Sequence, residues 1–275
     1  MSNTPRFTII TPTWNQAEYI RDTIESVLNQ TRRDLEYIIV DNCSDDGTQQ
    51  IVEEYMKKDS RIIYVREPDH GQAEAINKGL KRAKGEIVAW LNSDDIYMDD
   101  HVLARVDKAF YRHAEAGLVV GDAWYCDKNK KLTEYNPSDR NVPAWVIRRW
   151  YYIVQPAVFW KNQHALLDEK YNYVFDWKFF IEAYSRNKVY YSHTPYALYR
   201  MYEDNKTGQN NAKRKKEIWK LQAELGDSRL NAAWCKWVYE QYVKAEENGD
   251  EKLKARVDFL TKLVFHLTFK RIVSF

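Results

Sequence analysis

The feature that most constrains this chain is where its polar residues stand relative to its apolar runs. Across the first hundred residues, short apolar stretches alternate with segments of helical spacing, and each apolar stretch runs out into small polar or acidic side chains. Phe7-Thr8-Ile9-Ile10 reads as a strand ending in Thr11-Pro12-Thr13. Tyr19, Ile20, Ile24, Val27 and Leu28 then fall at helical spacing within a stretch from about Glu18 to Asn29. Leu35 to Val40 reads as a second strand, closed by Asp41-Asn42. The turn chemistry of Asp45-Asp46-Gly47 follows, and Ile51, Val52, Tyr55 and Met56 mark the next helix. Arg61 to Val65 is the third predicted strand, Gly71 to Ala83 a helix broken by Gly85, and Ile87 to Leu91 the fourth strand. Alternation at this length implies right-handed βαβ units and a mostly parallel sheet with helices on its faces.

In open sheets of that kind, ligands bind beyond the carboxyl ends of the strands. Thr11, Pro12, Thr13 and Asn15 stand after the first strand, and Asp41 and Asn42 after the second. Glu67 and Asp69 follow the third, and Asn92, Ser93, Asp94 and Asp95 the fourth. The pattern predicts an acidic cleft. Two adjacent carboxylates at a buried strand end raise each other's pKa, and a hard cation such as Mg²⁺ or Mn²⁺ relieves them. The alternative is that one of them caps the following turn. No G-x-x-x-x-G-K-[ST] is present, and no G-x-G-x-x-G follows the first strand. A phosphorylated ligand is therefore expected to be held through a metal rather than a glycine loop.

Charge and composition exclude several other classes. Lys and Arg number 42 against 40 Asp and Glu, which gives no global basic field for nucleic acid. Three cysteines, Cys43, Cys126 and Cys235, lie far apart, so neither a zinc ribbon nor a disulfide scaffold fits, and a reducing cytosol is expected. No signal peptide is visible. The longest uncharged runs, Trp150 to Trp160 among them, have 11 residues, against about 20 for a membrane-spanning helix. Aromatic residues reach 15% of the chain; stacking on sugars or bases is one use for them, and core filling is the other.

The second half is less regular. Leu118 to Gly121 reads as a strand, Tyr152 to Trp160 as a buried aromatic segment, and Tyr173 to Ala183 as a helix with Asp176 in its first turn. From about Gly208 the chain turns to helix formers interrupted near Gly226-Asp227 and Asn248-Gly249-Asp250. Residues 206–275 hold 15 Lys and Arg against 9 Asp and Glu. Leu253, Val257, Leu260, Val264 and Leu267 form one helical stripe with Lys262, Lys270 and Arg271 nearby, and Lys213-Arg214-Lys215-Lys216 adds a second basic cluster. A basic amphipathic helix of this kind either lies on an anionic membrane surface or packs on the main domain.

Four ordered motifs carry a family resemblance. Ile10-Thr11-Pro12-Thr13-Trp14-Asn15 resembles the first-strand motif of family-2 glycosyltransferases with the GT-A fold. Val40-Asp41-Asn42-Cys43-Ser44-Asp45-Asp46-Gly47-Thr48 resembles their second-strand motif, and Asp69-His70-Gly71-Gln72-Ala73-Glu74-Ala75-Ile76-Asn77-Lys78-Gly79 their third. Trp90-Leu91-Asn92-Ser93-Asp94-Asp95 is similar to their D-x-D-type metal motif, with Asn92 at the leading acidic position. Within the family the chain is most similar to soluble, non-processive enzymes of bacterial O-antigen and capsule assembly. It has no Q-x-x-R-W motif of the processive synthases.

The resemblance implies an α/β GT-A domain over residues 1–207, with a nucleotide-sugar half (1–97) and an acceptor half (98–207), and a helical extension over 208–275. It implies inverting transfer of a sugar from a nucleotide diphosphate sugar, with a UDP-sugar expected, to a glycan or lipid-linked saccharide. Mn²⁺ or Mg²⁺ is the implied cofactor. Thr11, Pro12, Thr13, Asn15, Asp41, Asp69, Asn92, Ser93 and Asp94 would line the donor pocket, with Asp41 near the base. Asp94 and Asp95 would hold the metal, with His193 as a further ligand or a structural residue. Arg200 would pair with diphosphate oxygens. Asp176 would be the catalytic base, since inversion needs one carboxylate near the acceptor hydroxyl on the face opposite the leaving group; its other reading is a favourable charge at a helix start. Gln155 and Trp177 would line the acceptor side, and Asn77 and Gly79 would shape helix packing. A cytoplasmic protein is expected, with peripheral contact at the inner face of the cell membrane as the alternative that the basic C-terminal helices leave open. Two other functions share parts of this pattern, an inactive nucleotide-sugar or glycan-binding module and a sugar-1-phosphate nucleotidyltransferase. The latter would want a glycine-rich, basic first loop that Thr11 to Asn15 does not offer.

Overall fold

Strand pairing begins where the alternation places it. A computed structural model describes residues 4–138, 144–148, 151–203, 212–225, 229–257 and 259–260. The first elements are β1 (Phe7–Thr13), α1 (Ile20–Leu28), β2 (Leu35–Asp41), α2 (Thr48–Met56), β3 (Ile62–Arg66), α3 (Gln72–Leu80) and β4 (Ile87–Trp90). β1 and β2 are buried along their whole length, as apolar runs covered on both faces require. Helix α1 buries Ile20, Ile24, Val27 and Leu28, the stripe its spacing predicts. The order β3-β2-β1-β4 is parallel throughout. The chain moves outward from β1 through β2 to β3 and then returns to the other side of β1. A crevice at the carboxyl ends of β1 and β4 follows from that reversal.

The later elements complete the same sheet: β5 (Ile96–Tyr97), α4 (Val102–Arg112), β6 (Ala116–Cys126), β7 (Leu132–Asn136), β8 (Val158–Lys161), α5 (Phe175–Arg186) and β9 (Lys188–Arg200). The sheet continues β4-β8-β6-β9-β5, with β7 paired to β6. The long β6–β9 ladder is parallel, whereas β8, β7 and β5 pair antiparallel. The strand predicted at Leu118 to Gly121 is thus the middle of a much longer one. The predicted buried segment at Tyr152 to Trp160 divides into a 3₁₀ turn at Gln155–Ala157 and strand β8. The core on this side is aromatic. Trp90, Trp160, Phe179 and Phe180 pack with ring centroids 5.3 to 6.5 Å apart, Phe180 stacked on Trp90 at 5.5 Å. About half of the aromatic residues described are buried, so core filling accounts for much of the excess.

The glycines of the third motif act through space rather than chemistry. Gly71 precedes α3 with φ +155°, and a Cβ there would sit 2.9 Å from Asn172 Oδ1. A Cβ on Gly79 would sit 2.5 Å from Ile10 Cγ2, so α3 lies against β1 only because that side chain is missing. Two residues earlier, Asn77 is buried; its Nδ2 donates to Leu167 O (3.0 Å) and Glu169 Oε1 (2.7 Å), and its Oδ1 accepts from Leu167 N (2.8 Å). It pins the loop that leads to α5.

The chain divides into two units, Met1–Ile147 with Tyr151–Gln209, and Arg148–Trp150 with Asn210–Phe275. The halves 1–97 and 98–207 share one sheet within the first unit, and the predicted boundary at 207/208 lies outside the described residues. The second unit contains α6 (Ala212–Leu225) and α7 (Arg229–Glu247), broken near Gly249 as the sequence predicts. Val238, Tyr242 and Val257 form its core, with Trp219, Trp234 and Leu253 packed against them. Leu253 and Val257, the start of the predicted amphipathic stripe, thus pack inside the helical unit itself. Lys262, Val264, Leu267, Lys270 and Arg271 lie outside the described residues. No helix among the described residues is long and apolar enough to cross a membrane.

Candidate active site

The floor of the cleft is set by strand register. Thr13 lies opposite Asp41, and Asp41 opposite Arg66, so three strand ends meet in a row. Asp41 is fully buried, and both its oxygens already accept bonds. Oδ1 takes Ser44 N (3.0 Å) and Ser44 Oγ (2.5 Å), while Oδ2 takes the Tyr64 hydroxyl (2.5 Å), with Arg66 Nε at 3.7 Å. Asp41 therefore shapes the loop after β2 as well as facing the row. Asn15, in the left-handed region at φ +51°, donates its backbone N–H to Ser44 Oγ (2.9 Å) and accepts from Asp45 N (3.1 Å), so it ties the loops after β1 and β2 together. Thr11 is buried against the Tyr37 hydroxyl (2.9 Å) and Pro12 is buried within β1, so both support the pocket from beneath.

Two polar atoms on this floor are unsatisfied. Thr13 Oγ1 is buried without a partner. Asp69 accepts from Gly71 N on Oδ1 (3.0 Å) and donates its backbone N–H to Asn42 Oδ1 (2.8 Å), yet its Oδ2 is buried without a partner. Burial raises the Asp69 carboxyl against the effect of the Gly71 bond. Such atoms cost about 1–3 kcal/mol each when left unpaired, a cost that a ligand offering donors would remove.

The wall beside β1 is the turn after β4, and here the structure divides the acidic pair. Asp95 is 1% exposed; its Oδ1 accepts from Arg200 N (3.1 Å) and its Oδ2 from Asn92 Nδ2 (3.1 Å). Asp94 is half-buried and accepts the Tyr202 hydroxyl on Oδ2 (2.9 Å). Burial raises both carboxyls, and Asp94 raises Asp95 further, well above the usual carboxylate range. Asn92 organises the turn: its Oδ1 accepts from Gln72 Nε2 (2.8 Å), and its Nδ2 also faces Gln155 Oε1 (3.3 Å). Gln155 in turn donates to Trp90 O (2.7 Å). Ser93 is buried within the same turn. Because a carboxylate at Asp95 only accepts, Asn92 must turn its NH₂ toward it. Asn92→Asp would place a third carboxylate against Asp95 and the Gln155 carbonyl oxygen. It is expected to lower stability by about 1–3 kcal/mol, read as a fall in the thermal midpoint.

The donor chemistry of this turn fits a hard cation that takes most of its ligands from elsewhere. Asp94 offers an oxygen in a cluster of like charge, and cations such as Mg²⁺ are commonly held by one or two carboxylates plus substrate phosphates. No group of three His, Cys, Asp or Glu residues able to hold a metal exists among the described residues. The set Asp94, Asp95 and His193 is therefore not assembled. His193 lies on β9 seven residues before Arg200. It has φ +49° and a buried Nδ1 without a partner. Arg200 also departs from its expected role. It is fully buried, donates to Asp22 Oδ2 (2.9 Å) and lies over the Tyr19 ring at 4.6 Å, while its backbone holds Asp95.

On the remaining side, α5 is anchored by Phe179 and Phe180 against Trp90, four residues before Asp94. Asp176 sits one turn before Phe180, on the stripe of α5 that faces the β4 end. It is half-buried, and its Oδ1 accepts from Trp177 N (2.8 Å). Trp177 is instead a core residue: it is buried, stacked on Tyr151 at 5.9 Å, and its indole donates to Ile147 O. Three residues given no site role from the sequence complete the site. Gln72 carried a weak signal as the first residue of α3, and Tyr64 as the residue two before the end of β3. Tyr202 carried none, because its partner is 108 positions away.

Comparison with known proteins identifies the family. The model of Glycosyl transferase family 2 matches residues 8–202. A Bacillus subtilis glycosyltransferase provisionally assigned to teichuronic acid biosynthesis, TuaG, is 48% identical over 98 residues, 35% of this chain and 38% of that protein. An uncharacterised glycosyltransferase of Methanocaldococcus jannaschii is 32% identical over 137 residues, 48% of this chain and 47% of that protein. The chain thus spans less than half the length of these curated relatives. Among solved structures, S. aureus TarS in complex with UDP-GlcNAc superposes with TM-score 0.67 at 19% identity, covering 86% of this chain and 71% of that one. A mannosyltransferase from Pyrobaculum calidifontis in complex with GDP-Man and Mn²⁺ gives 0.62 at 16% identity, covering 98% and 84%.

Proposed function

The chain belongs to glycosyl transferase family 2 and has the GT-A fold, and from that premise we propose that it moves a sugar from a nucleotide diphosphate sugar to a hydroxyl of a glycan or lipid-linked saccharide, with inversion. The observation that carries the reading is the convergence of Thr13, Asp41, Asp69 and Asp94 at four adjacent strand ends, two of them with buried oxygens awaiting a donor. Solved structures of the same fold hold UDP-GlcNAc in one case and GDP-Man with Mn²⁺ in another, which supports a donor of this class. A UDP-sugar is the donor proposed here.

In this reading the base and ribose lie over Thr13 and Asp69, whose free oxygens accept N–H or O–H bonds, with Asp41 and Asn15 fixing the loop beneath. Asp94 would hold a divalent cation, which when bound offsets charge on the leaving diphosphate. Asp95 keeps the turn in place rather than binding the cation directly. Asp176, across the cleft on α5, takes the proton from the acceptor hydroxyl as its oxygen attacks the anomeric carbon, and the nucleoside diphosphate leaves from the opposite face. Gln155 joins the acceptor side to the donor side through Asn92.

Thermal stability against UDP, GDP, dTDP, CMP and ADP, each with Mn²⁺ and with EDTA, tests the reading. A nucleotide at a hundredfold its dissociation constant is expected to add about 2.7 kcal/mol of stability. One nucleoside diphosphate should shift the midpoint with Mn²⁺ and lose that shift in EDTA. No shift with any of the five would overturn the donor site.

A further inference from the structure

The end of β9 grips the acidic turn at two points. Arg200 gives its backbone N–H to Asp95 Oδ1 at 3.1 Å, and Tyr202, two residues on, gives its hydroxyl to Asp94 Oδ2 at 2.9 Å. The phenol is itself held. Its ring packs against Tyr19 at 5.0 Å, and Tyr19 carries the Arg200 guanidinium over its face at 4.6 Å. Arg200 is fully buried and bonded to Asp22 on α1. The hydroxyl therefore reaches Asp94 from a supported side chain, and it engages one oxygen of the carboxylate while leaving the other uncommitted to it.

We propose that Tyr202 is a positioning residue for Asp94. It fixes the rotation of the carboxylate so that Oδ1 alone is presented to a divalent cation. The inference rests on the reading of Asp94 as the cation's protein ligand. A carboxylate with no such tether can rotate about its Cβ–Cγ bond and exchange the oxygen it presents. An oxygen held outside the coordination sphere also makes the cation site monodentate, which leaves coordination positions for phosphate oxygens. Hydrogen-bond partners of metal ligands typically contribute 10–100-fold to metal affinity or activity. The opposite role is physically distinct: if Tyr202 merely occupied the oxygen the cation needs, its removal would strengthen binding.

Mn²⁺ titration followed by electron paramagnetic resonance of the free ion separates these roles without any turnover. It is run on the full chain with Mn²⁺ alone and with Mn²⁺ plus UDP. Tyr202→Phe removes one oxygen and keeps the ring on Tyr19, so its metal-free thermal midpoint should stay near that of the parent. Its Mn²⁺ dissociation constant is expected to rise about tenfold or more. Tyr202→His, which keeps a donor on a ring, should recover part of that loss. Unchanged or tighter Mn²⁺ binding by Tyr202→Phe overturns the inference. Asp94→Ala, measured alongside, tests its foundation: loss of Mn²⁺ binding there with parental binding by Tyr202→Phe sinks only the role of Tyr202. Parental binding by Asp94→Ala sinks the assignment of Asp94 and the inference with it.

Discussion

Asp94→Ala is expected to lower turnover of the sugar donor by about 10³-fold or more while leaving the fold intact, whereas Asp95→Ala is expected to act mainly on stability. The two residues are adjacent and of one type, yet their surroundings assign them different work. Asp94 is half-buried at the mouth of the turn, with one oxygen on Tyr202. Removing it deletes the proposed hold on the cation, and loss of several kcal/mol of charge stabilisation in the transition state corresponds to a thousandfold or more in rate. It also removes one member of a like-charged pair, so the thermal midpoint should hold or rise. Asp95 is closed off from solvent and accepts Arg200 N and Asn92 Nδ2. Asp95→Ala strands both donors, at about 1–3 kcal/mol each, and frees the end of β9. Release of nucleoside diphosphate measured with a coupled assay, set beside thermal midpoints of both variants, decides the matter. A stable, fully active Asp94→Ala would remove the cation from this turn. A stable Asp95→Ala with lost Mn²⁺ dependence would exchange the two roles.

The difference between Asp94 and Asp95 was not legible in the sequence, and the reason is general to this chain. In the first half, strands, helices and the residues at strand ends follow from local spacing. The apolar runs of β1, β2 and β4 are buried throughout, β3 at the sheet edge is only partly covered, and the Thr, Asn and Asp residues after them lie where a parallel sheet opens. The strands at Phe7, Leu35, Ile62 and Ile87 therefore begin within a residue of where the pattern puts them. The Asp94–Asp95 division instead depends on Arg200, 105 positions away, and on the single hydroxyl of Tyr202. No local rule connects those residues.

Strand β9 was illegible for a related reason. Its sequence carries Ser192, His193, Thr194 and Pro195 in the middle, and proline inside a strand ordinarily argues against one. The structure accommodates them because the ladder with β6 shifts register on either side of Asp122, opposite Pro195. Helix α4 is the converse case. Val102, Val106 and Phe110 stand at helical spacing and are all buried, so its signal was present in the sequence. Trp177 shows where composition stops informing: a tryptophan beside a catalytic candidate suits a sugar or a core equally, and only its bond to Ile147 O decides.

Asp176→Asn is the second large effect, expected to reduce kcat by about 10²–10⁴-fold with donor binding nearly unchanged. General base catalysis by a positioned side chain contributes that range. Asparagine has the shape of aspartate but cannot take the acceptor's proton. The substitution is conservative for the fold, since an amide oxygen can still accept from Trp177 N, the bond that Oδ1 now takes at 2.8 Å. Helix α5 is also held by Phe179 and Phe180 on Trp90 and by the Trp177 indole on Ile147 O. Position in the first turn also favours the ionised carboxylate that a base requires, by about 0.3–1 kcal/mol from the helix dipole. That second effect is what a purely structural Asp176 would supply, and the two roles separate in the assay. A structural residue would shift the thermal midpoint and leave kcat near parental. A base would leave the midpoint and the nucleotide-dependent Mn²⁺ shift in place while turnover collapses. Parental turnover by Asp176→Asn would move the base elsewhere in the acceptor half and leave the donor site, defined by Thr13, Asp69 and Asp94, untouched.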